Sequence, residues 1–235
     1  MKKYIPIFLA LVLAKWWFTD PSIDVDTNGL SFSYIVEYSG EVSRSDTLPL
    51  LVALHGNGDT PQDFYDNVLD HLDVPARIIL LKGPVSSNRG SAWPWSPADF
   101  VQYGKAINEA VEILAIKFPT SEKPILLGFS GGGMTAYYQA LTHGDSYSYI
   151  IPISGKLTKD LLGDAPIRRG AKVFAFHGNK DSVVSITGGR SAERILREHG
   201  IDVRFVEFNG GHHGIVNEIR TEITVLLEEK LESLY

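Results

Sequence analysis

The chain has 235 residues, of which 44% are hydrophobic and 21% are charged, a composition that excludes a disordered protein. Its formal net charge of -6, with no basic block, argues against binding nucleic acid through phosphates. The lack of cysteine excludes disulfides, thiolate zinc sites and a cysteine nucleophile, so covalent catalysis needs another nucleophile such as serine.

The chain begins with a basic start and an apolar run. Met1–Lys3 precede the run Tyr4–Ala14, a pattern typical of a signal peptide, and Trp16 and Trp17 would suit a membrane interface if the segment is retained. We expect a secreted, periplasmic or membrane-attached protein that contacts the membrane through residues 1–18. A cleaved signal peptide, an anchor and an amphipathic helix packed on a cytoplasmic protein are the three alternatives for this segment.

After residues 1–20, short apolar runs alternate with segments of helical period, which predicts one α/β domain over residues 21–235. Runs that are apolar at nearly every position favour strands buried on both faces. We expect a mostly parallel central sheet with helices on both faces and a minimal cap or none. The predicted strands are Ser31–Tyr38, Leu50–Leu54, Ile78–Leu81, Pro124–Phe129, Tyr147–Ile153, Lys172–Phe176 and Val203–Phe208. The predicted helices are Pro61–Leu72, Ala98–Lys117, Gly131–Thr142, Gly188–His199 and Ile215–Leu234.

A glycine-rich turn follows the predicted strand Pro124–Phe129. Residues 128–132, GFSGG, fit the pattern G-x-S-x-G, and the strand before and helix after it form the context in which this pattern holds a nucleophile. Such a turn strains the serine backbone and projects the hydroxyl above the sheet, where the helix N-terminus stabilises negative charge. Ser130 is therefore the predicted nucleophile, and a plain turn with a surface serine is the alternative.

The predicted strand Leu50–Leu54 leads into residues 55–59, HGNGD. A tetrahedral intermediate needs two backbone N–H donors, one after the nucleophile and one from this loop. We assign these oxyanion-hole donors to Gly131 and to Asn57, whose flanking glycines let its amide turn inward. We expect His55 to buttress the loop rather than to act as a base, because it precedes the nucleophile in the chain.

Two later strand ends carry an acid and then a base. Asp181 follows the strand Lys172–Phe176, while His212 and His213 follow Val203–Phe208, which gives the order Ser, Asp, His. We choose His212 as the base and Asp181 as the acceptor of its Nδ1–H, with His213 as the alternative base. Adjacent histidines seldom direct both rings at one ion, so no metal is expected. Three other aspartates remain as fallback acids: Asp145, Asp160 and Asp164.

The blocks LHGNGD, GFSGGG, ISGKL, HGNKDSVV and GGHH follow one another from Leu54 to His213. In this order they resemble the α/β-hydrolase superfamily, and within it the phospholipase/carboxylesterase group with its acyl-protein thioesterases and dienelactone-hydrolase-like esterases. The resemblance implies the α/β-hydrolase fold. It also implies the roles assigned above to Ser130, Asp181 and His212, and to the two oxyanion amides.

Three departures from this group bear on the substrate. Asn57 stands where the group often has leucine, His213 doubles the base, and residues 93–97, WPWSP, are unusually rich in tryptophan. We expect Trp93 and Trp95 to line the substrate site, with capping of the core as the alternative.

The predicted function is a serine carboxylesterase that hydrolyses short- to medium-chain, small-molecule esters without a cofactor. Alternatives are an acetyl or feruloyl esterase acting on plant polysaccharides, a thioesterase, a serine peptidase, and a catalytically silent binding protein of the same fold.

Overall fold

The computed structural model describes residues 23–94 and 96–235, so the expectations for residues 1–20 and for Trp95 lie outside the described residues. The strands are β1 Ile23–Asp26, β2 Ser31–Ser39, β3 Leu50–Leu54, β4 Ala76–Leu81, β5 Val85–Ser86, β6 Ser91–Ala92, β7 Ile125–Phe129, β8 Tyr149–Ile153, β9 Lys172–Gly178 and β10 Val203–Phe208. The α-helices are α1 Pro61–Phe64, α2 Pro97–Lys117, α3 Gly131–Thr142, α4 Lys159–Leu162, α5 Ile186–Glu198, α6 Gly214–Asn217 and α7 Arg220–Glu232. A π-helical turn spans Tyr65–Leu69, and a 3-10 turn spans Gly144–Ser146.

Eight strands form one sheet in the order β1-β2-β4-β3-β7-β8-β9-β10, and β5 and β6 form a separate hairpin. The six strands from β4 to β10 in this order are parallel, while β2 is antiparallel to both β4 and β1. The predicted mostly parallel sheet of an α/β-hydrolase is thereby confirmed. The carboxyl ends of β3, β7, β9 and β10 meet at one edge, where ligands bind in sheets of this kind.

Helices cover both faces of the sheet, as predicted. All five residues of β3 are buried, and successive side chains point to opposite faces. Leu50, Val52 and Leu54 belong to a core shared with α2, α3 and α5. Leu51 and Ala53 belong to a second core shared with α1, the π-helical turn and α7. Burial on two faces explains why this strand is apolar at every position.

Two predicted helices are interrupted in the structure. The predicted helix Pro61–Leu72 consists of α1 and the π-helical turn, in which the N–H of Asp70 bonds to the carbonyl of Tyr65 at 3.0 Å. The predicted helix Ile215–Leu234 is divided into α6 and α7, because Ile219 has a non-helical φ of -123°. Periodicity does not reveal either interruption, since the apolar residues keep facing the core on both sides of it.

The additional elements within the described residues are small. Sequence analysis did not predict β1, the hairpin β5–β6 or the one-turn helix α4, which have two to four residues each. Segments of this length are too short to show a hydrophobic period. The hairpin and α4, in the parts of the chain that the structure describes, are too small to form a cap domain. In those parts, no helix has both the length and the hydropathy needed to span a membrane.

Candidate active site

Ser130 stands between β7 and α3 in a strained backbone conformation, with φ of 54° and ψ of -112°. Its N–H bonds to the carbonyl of Ile153 at 2.9 Å, which ties the turn to the next strand. The flanking glycines are required by space: a Cβ at Gly128 would overlap the carbonyl oxygen of Gly132, and a Cβ at Gly132 would overlap that of Leu54. The local sequence GFSGG therefore permits a strand-to-helix turn that other residues would block.

Ser130, His212 and Asp181 form a continuous hydrogen-bonded chain. The Oγ atom of Ser130 lies 2.9 Å from Nε2 of His212, and Nδ1 of His212 lies 2.7 Å from Oδ2 of Asp181. The Asp181 side chain is fully buried, and its Oδ1 accepts the N–H groups of Val183 at 2.9 Å and Val184 at 2.8 Å. An ionised carboxylate suits these three donors, and it holds His212 with a free Nε2 lone pair toward Ser130.

His213 lies beside this chain but does not join it. Its ring is exposed and packs edge-on against His212, with ring centroids 5.3 Å apart. The three fallback acids do not join this chain either. Oδ2 of Asp145 lies 3.8 Å from Nε of Arg168, and Asp160 and Asp164 are exposed. His212 and Asp181 are thus the histidine and aspartate that the fold brings to Ser130.

Asn57 and Gly131 meet beside Ser130. Gly131 is the first residue of α3, and its N–H has no acceptor within the helix. The Asn57 side chain packs so closely on it that a Cβ at Gly131 would overlap Oδ1 of Asn57, which accepts the N–H of Trp93 at 2.8 Å. The two residues assigned to the oxyanion hole are therefore neighbours, and both line the cavity in front of Ser130.

His55 is buried under the oxyanion loop and both its ring nitrogens are engaged there. Its Nε2 accepts the N–H of Gly83 at 3.0 Å, so Nδ1 carries the hydrogen and donates to the carbonyl of Gly56 at 2.7 Å. Burial lowers the pKa of His55, which favours this neutral form. The ring buttresses the loop, as expected, and is not available as a base.

Trp93 is buried, which corrects the prediction that it lines the substrate site. Its side chain is 1% exposed, its Nε1–H donates to the carbonyl of His55 at 2.8 Å, and its ring lies against the imidazole of His55. The indole therefore supports the oxyanion loop from below, which is the core-capping alternative. Trp95 lies outside the described residues.

A cavity of about 770 Å³ opens in front of Ser130. Apolar side chains from five elements form part of its wall, together with polar and charged groups. The apolar residues include Phe64, Val68, Phe129, Met134, Ile215 and Val216. Sequence analysis missed Phe64 and Val68, although they lie four residues apart directly after the oxyanion loop, which places both on one side of the helical segment. The cavity volume is in the range of ordinary small-molecule sites.

A second cavity, of about 850 Å³, lies between α2, the end of α3 and the residues after α4. Its lining mixes charges of both signs, including Lys105, Glu109, Glu112 and Arg168, and contains none of the residues that surround Ser130. Among residues 23–94 and 96–235, no group of three or more histidines and carboxylates could hold a metal ion. Ser130, His212 and Asn57 therefore line the cavity in front of Ser130 and not this second cavity.

The fold is that of the α/β-hydrolase class, and Ser130, His212 and Asp181 lie in the order and at the distances of a Ser–His–Asp triad. Residues 41–229 match the model of the phospholipase/carboxylesterase family. The match covers most of the chain, so the chain belongs to this family.

Two curated relatives and two solved structures illustrate the similarity. Acyl-protein thioesterase 1 of Neurospora crassa is 27% identical over 116 residues, 47% of each chain, and a probable carboxylesterase SOBER1-like protein of Arabidopsis thaliana is 25% identical over 171 residues, 64% of each chain. The chain thus spans about half to two thirds of the curated relatives' length. The carboxylesterase of Bacillus cereus has a TM-score of 0.65 at 16% identity, covering 87% of this chain and 95% of that chain. Esterase PE8 has a TM-score of 0.63 at 24% identity, covering 82% and 99%. These two structures share the fold.

Proposed function

We propose that the chain is a serine carboxylesterase in which Ser130 is the nucleophile, His212 the base and Asp181 the acid that orients it. The observation that carries this proposal is the hydrogen-bonded chain from Oγ of Ser130 to Nε2 of His212, at 2.9 Å, and from Nδ1 of His212 to Oδ2 of Asp181, at 2.7 Å. Each contact is within hydrogen-bond reach in the geometry that activates a hydroxyl for acyl transfer.

The proposed reaction proceeds through an acyl-enzyme. Oγ of Ser130 attacks the ester carbonyl while its proton passes to Nε2 of His212, and the N–H groups of Asn57 and Gly131 bind the oxyanion. His212 then gives the proton to the leaving alcohol as the C–O bond breaks. A water molecule, deprotonated by His212, attacks the acyl-enzyme, which releases the carboxylic acid and returns the proton to Ser130.

The cavity supports short- to medium-chain acyl esters as substrates. Phe64, Val68, Ile215 and Val216 offer an apolar wall near Ser130, and each CH₂ group buried there would contribute about 0.8 kcal/mol to binding. The gain ends when the chain fills the cavity, so activity should rise with acyl length and then level off or fall.

Thioester hydrolysis is a second candidate, favoured by the acyl-protein thioesterase relative at 27% identity. It would use the same acyl-enzyme, with a thiol as the leaving group. A panel that pairs oxygen esters with thioesters of equal acyl length distinguishes the two, and acetylated and feruloylated sugars in the same panel test the polysaccharide alternative.

Ser130→Ala tests the proposed function. We expect hydrolysis of p-nitrophenyl esters from acetate to dodecanoate to fall by about 10⁴-fold or more, because triad members act as a unit. Ser45→Ala, at an exposed serine before β3, is the matched control and should keep wild-type rates. Unchanged hydrolysis by Ser130→Ala would refute the proposal.

Val216→Phe tests the acyl site. We expect it to reduce hydrolysis of medium-chain esters more than of acetate, because the larger side chain fills the cavity. Val225→Phe, on the exposed side of α7, should leave the chain-length profile unchanged. An equal effect on acetate and on longer esters would contradict the assignment.

We also propose that residues 1–18 direct the protein to export or hold it at a membrane. The support is the basic start and the apolar run Tyr4–Ala14. Fractionation of cells that express the full chain should place it in an exported or membrane fraction, and an Ile7→Lys variant should shift it to the cytoplasm. Equal distribution of both proteins would contradict this.

A further inference from the structure

His177 is a buried ionisable side chain that the proposed reaction does not use directly. It is the last residue but one of β9, and its side chain is completely buried. Its Nε2 lies 2.8 Å from the carbonyl oxygen of Val184 and 3.4 Å from Oδ2 of Asp181. His177 therefore contacts both the proposed acid and the turn that carries it.

The protonation of the ring follows from its partners. A carbonyl oxygen only accepts, so Nε2 of His177 carries a hydrogen and donates it to Val184. Burial lowers the pKa of His177 and favours the neutral ring, which leaves Nδ1 as an acceptor with no hydrogen-bond partner among the described residues. Helix α5 holds the ring from that side, since a Cβ at Gly189 would lie 2.5 Å from Nδ1. The direction of the Nε2–H is thereby fixed.

The carboxylate of Asp181 depends on the same turn. Its Oδ1 accepts the N–H groups of Val183 at 2.9 Å and Val184 at 2.8 Å, while its Oδ2 accepts the Nδ1–H of His212 at 2.7 Å. Val184 thus donates its N–H to Asp181 and offers its carbonyl to His177. Holding that carbonyl also holds the adjacent N–H on which the orientation of Asp181 depends.

We propose that His177 is a positioning residue of the active site. Its Nε2–H anchors the carbonyl of Val184 and faces Oδ2 of Asp181, and together these contacts direct the carboxylate at Nδ1 of His212. The inference rests on the proposed Ser–His–Asp function. His177 acts through Asp181 and contacts neither the substrate nor the attacking oxygen.

Other titratable groups near the His177 ring interact with it less directly than Asp181 does. Besides Asp181, the titratable groups that act on His177 are His212 and Glu207 of β10. Exposed Arg190 of α5 binds Glu207 through two N–H···O contacts of 2.7 Å, which offset its charge. Asp181 is therefore the carboxylate with which His177 interacts most directly.

Two substitutions separate the N–H donor from the volume of the ring. His177→Leu removes the donor at similar size, and His177→Gln keeps an amide N–H near the position of Nε2. We expect H177L to lower kcat about tenfold or more with KM nearly unchanged, and H177Q to recover most of the loss. We also expect the acidic limb of the pH profile of kcat/KM to shift in H177L, because Nε2 of His177 lies 3.4 Å from Oδ2 of Asp181, the carboxylate oxygen that binds His212. The limb should return in H177Q.

Titration with a fluorophosphonate counts the competent active sites in each preparation. If the rate per titrated active site and the acidic limb are both the same as in the wild type, the loss of rate reflects fewer folded sites. His177 would then have a structural role, which would overturn the proposal. Wild-type kcat in H177L would also overturn it. If H177L does not fold, Gly189→Ala pushes the ring from α5 with the donor retained, and we expect a similar fall in kcat. Unchanged kcat there would likewise overturn the proposal.

Ser130→Ala separates this inference from the proposed function. If S130A keeps its activity, the proposed function itself fails. If S130A is inactive while H177L behaves as wild type, only the positioning role of His177 fails.

Discussion

The pattern His-Gly-Asn-x-Asp occurs twice in this chain, at residues 55–59 and 177–181. Both copies lie at the carboxyl end of a parallel strand, β3 and β9. Residues of the first copy line the cavity in front of Ser130, whereas Asp181 of the second copy binds His212. In both, burial lowers the pKa of the histidine. The first copy holds backbone groups of the oxyanion loop, whereas the second carries the proposed catalytic carboxylate.

The two histidines have opposite tautomers because their partners differ. Nε2 of His55 accepts an N–H from Gly83, whereas Nε2 of His177 donates to the carbonyl of Val184. The same five-residue pattern therefore performs different tasks, and the neighbouring loop decides which. This comparison indicates that local sequence places the loops while tertiary contacts assign the chemistry.

The largest expected difference between the two copies lies at their final aspartates. Asp181→Asn should lower kcat about 10⁴-fold, because an amide at this position favours the wrong tautomer of His212. Asp59→Asn should lower kcat less than about tenfold, since Oδ1 of Asp59 accepts the local N–H of Thr60, a bond that the amide oxygen of asparagine can also accept. Steady-state kinetics on one p-nitrophenyl ester measure both. Similar losses in the two variants would remove the functional difference between the copies.

Gly132, in the turn after Ser130, packs against the backbone at the start of the first copy, so a larger residue at this position should disturb the packing. In Gly132→Ala, the new Cβ would overlap the carbonyl oxygen of Leu54 and lie 2.7 Å from that of His55. We expect a loss of about 1–3 kcal/mol in the free energy of unfolding, measured by urea denaturation, together with reduced activity. Gly211→Ala is the control, because no atom of the described residues beyond its two chain neighbours lies within 4 Å of the added Cβ. Equal stability of the two variants would contradict this packing account.

The two histidines should differ in which property they control. His55→Leu leaves the buried N–H of Gly83 without its acceptor, and we expect it to cost about 1–3 kcal/mol of stability. His177→Leu should affect kcat more than stability, because its main partner is the turn that orients Asp181. Urea denaturation and kcat, measured on both variants, test the distinction. The reverse pattern would show that the roles are exchanged.

The smallest expected effect is a shared dependence of stability on pH. Because burial lowers the pKa of His55 and His177 in the folded state, protons bind more tightly to the unfolded chain. The free energy of unfolding is therefore highest at pH values above the ordinary histidine pKa of about 6.5. It falls as the pH drops through this value, by roughly 1 kcal/mol or less per histidine between pH 7.5 and pH 6. Urea midpoints at these two pH values measure the fall, which should be smaller in His177→Gln. A midpoint that rises toward pH 6 would contradict the neutral buried rings.

Sequence analysis could predict the main sheet and the positions of the reactive loops for a simple reason. Strands such as Leu50–Leu54 are buried on both faces and are apolar throughout, and α3 begins and ends at the predicted residues Gly131 and Thr142. The glycines around Ser130 leave space for backbone atoms that a Cβ would overlap, and this close packing occurs in the strand–turn–helix arrangement that the sequence pattern predicts. Strong local constraints of this kind are visible in the sequence itself.

The remaining features depend on contacts between distant segments. Trp93 was expected in the substrate site, but its Nε1–H is directed to the carbonyl of His55, 38 residues earlier in the chain. The partner of His177 is a backbone carbonyl, which leaves no signature in residue type. Val216 lines the cavity and lies in α6, which ends before α7 begins. Hydrophobic periodicity does not detect this interruption of the predicted helix.

The most direct test of the central claim is mass spectrometry of the protein treated with a fluorophosphonate, combined with an ester-hydrolysis assay on the same samples. The hydrogen-bonded chain from Ser130 through His212 to Asp181 requires one adduct per chain, on Ser130, and hydrolysis that falls to zero in proportion to labelling. An adduct on another residue, or hydrolysis that persists after Ser130 is fully labelled, would contradict the account.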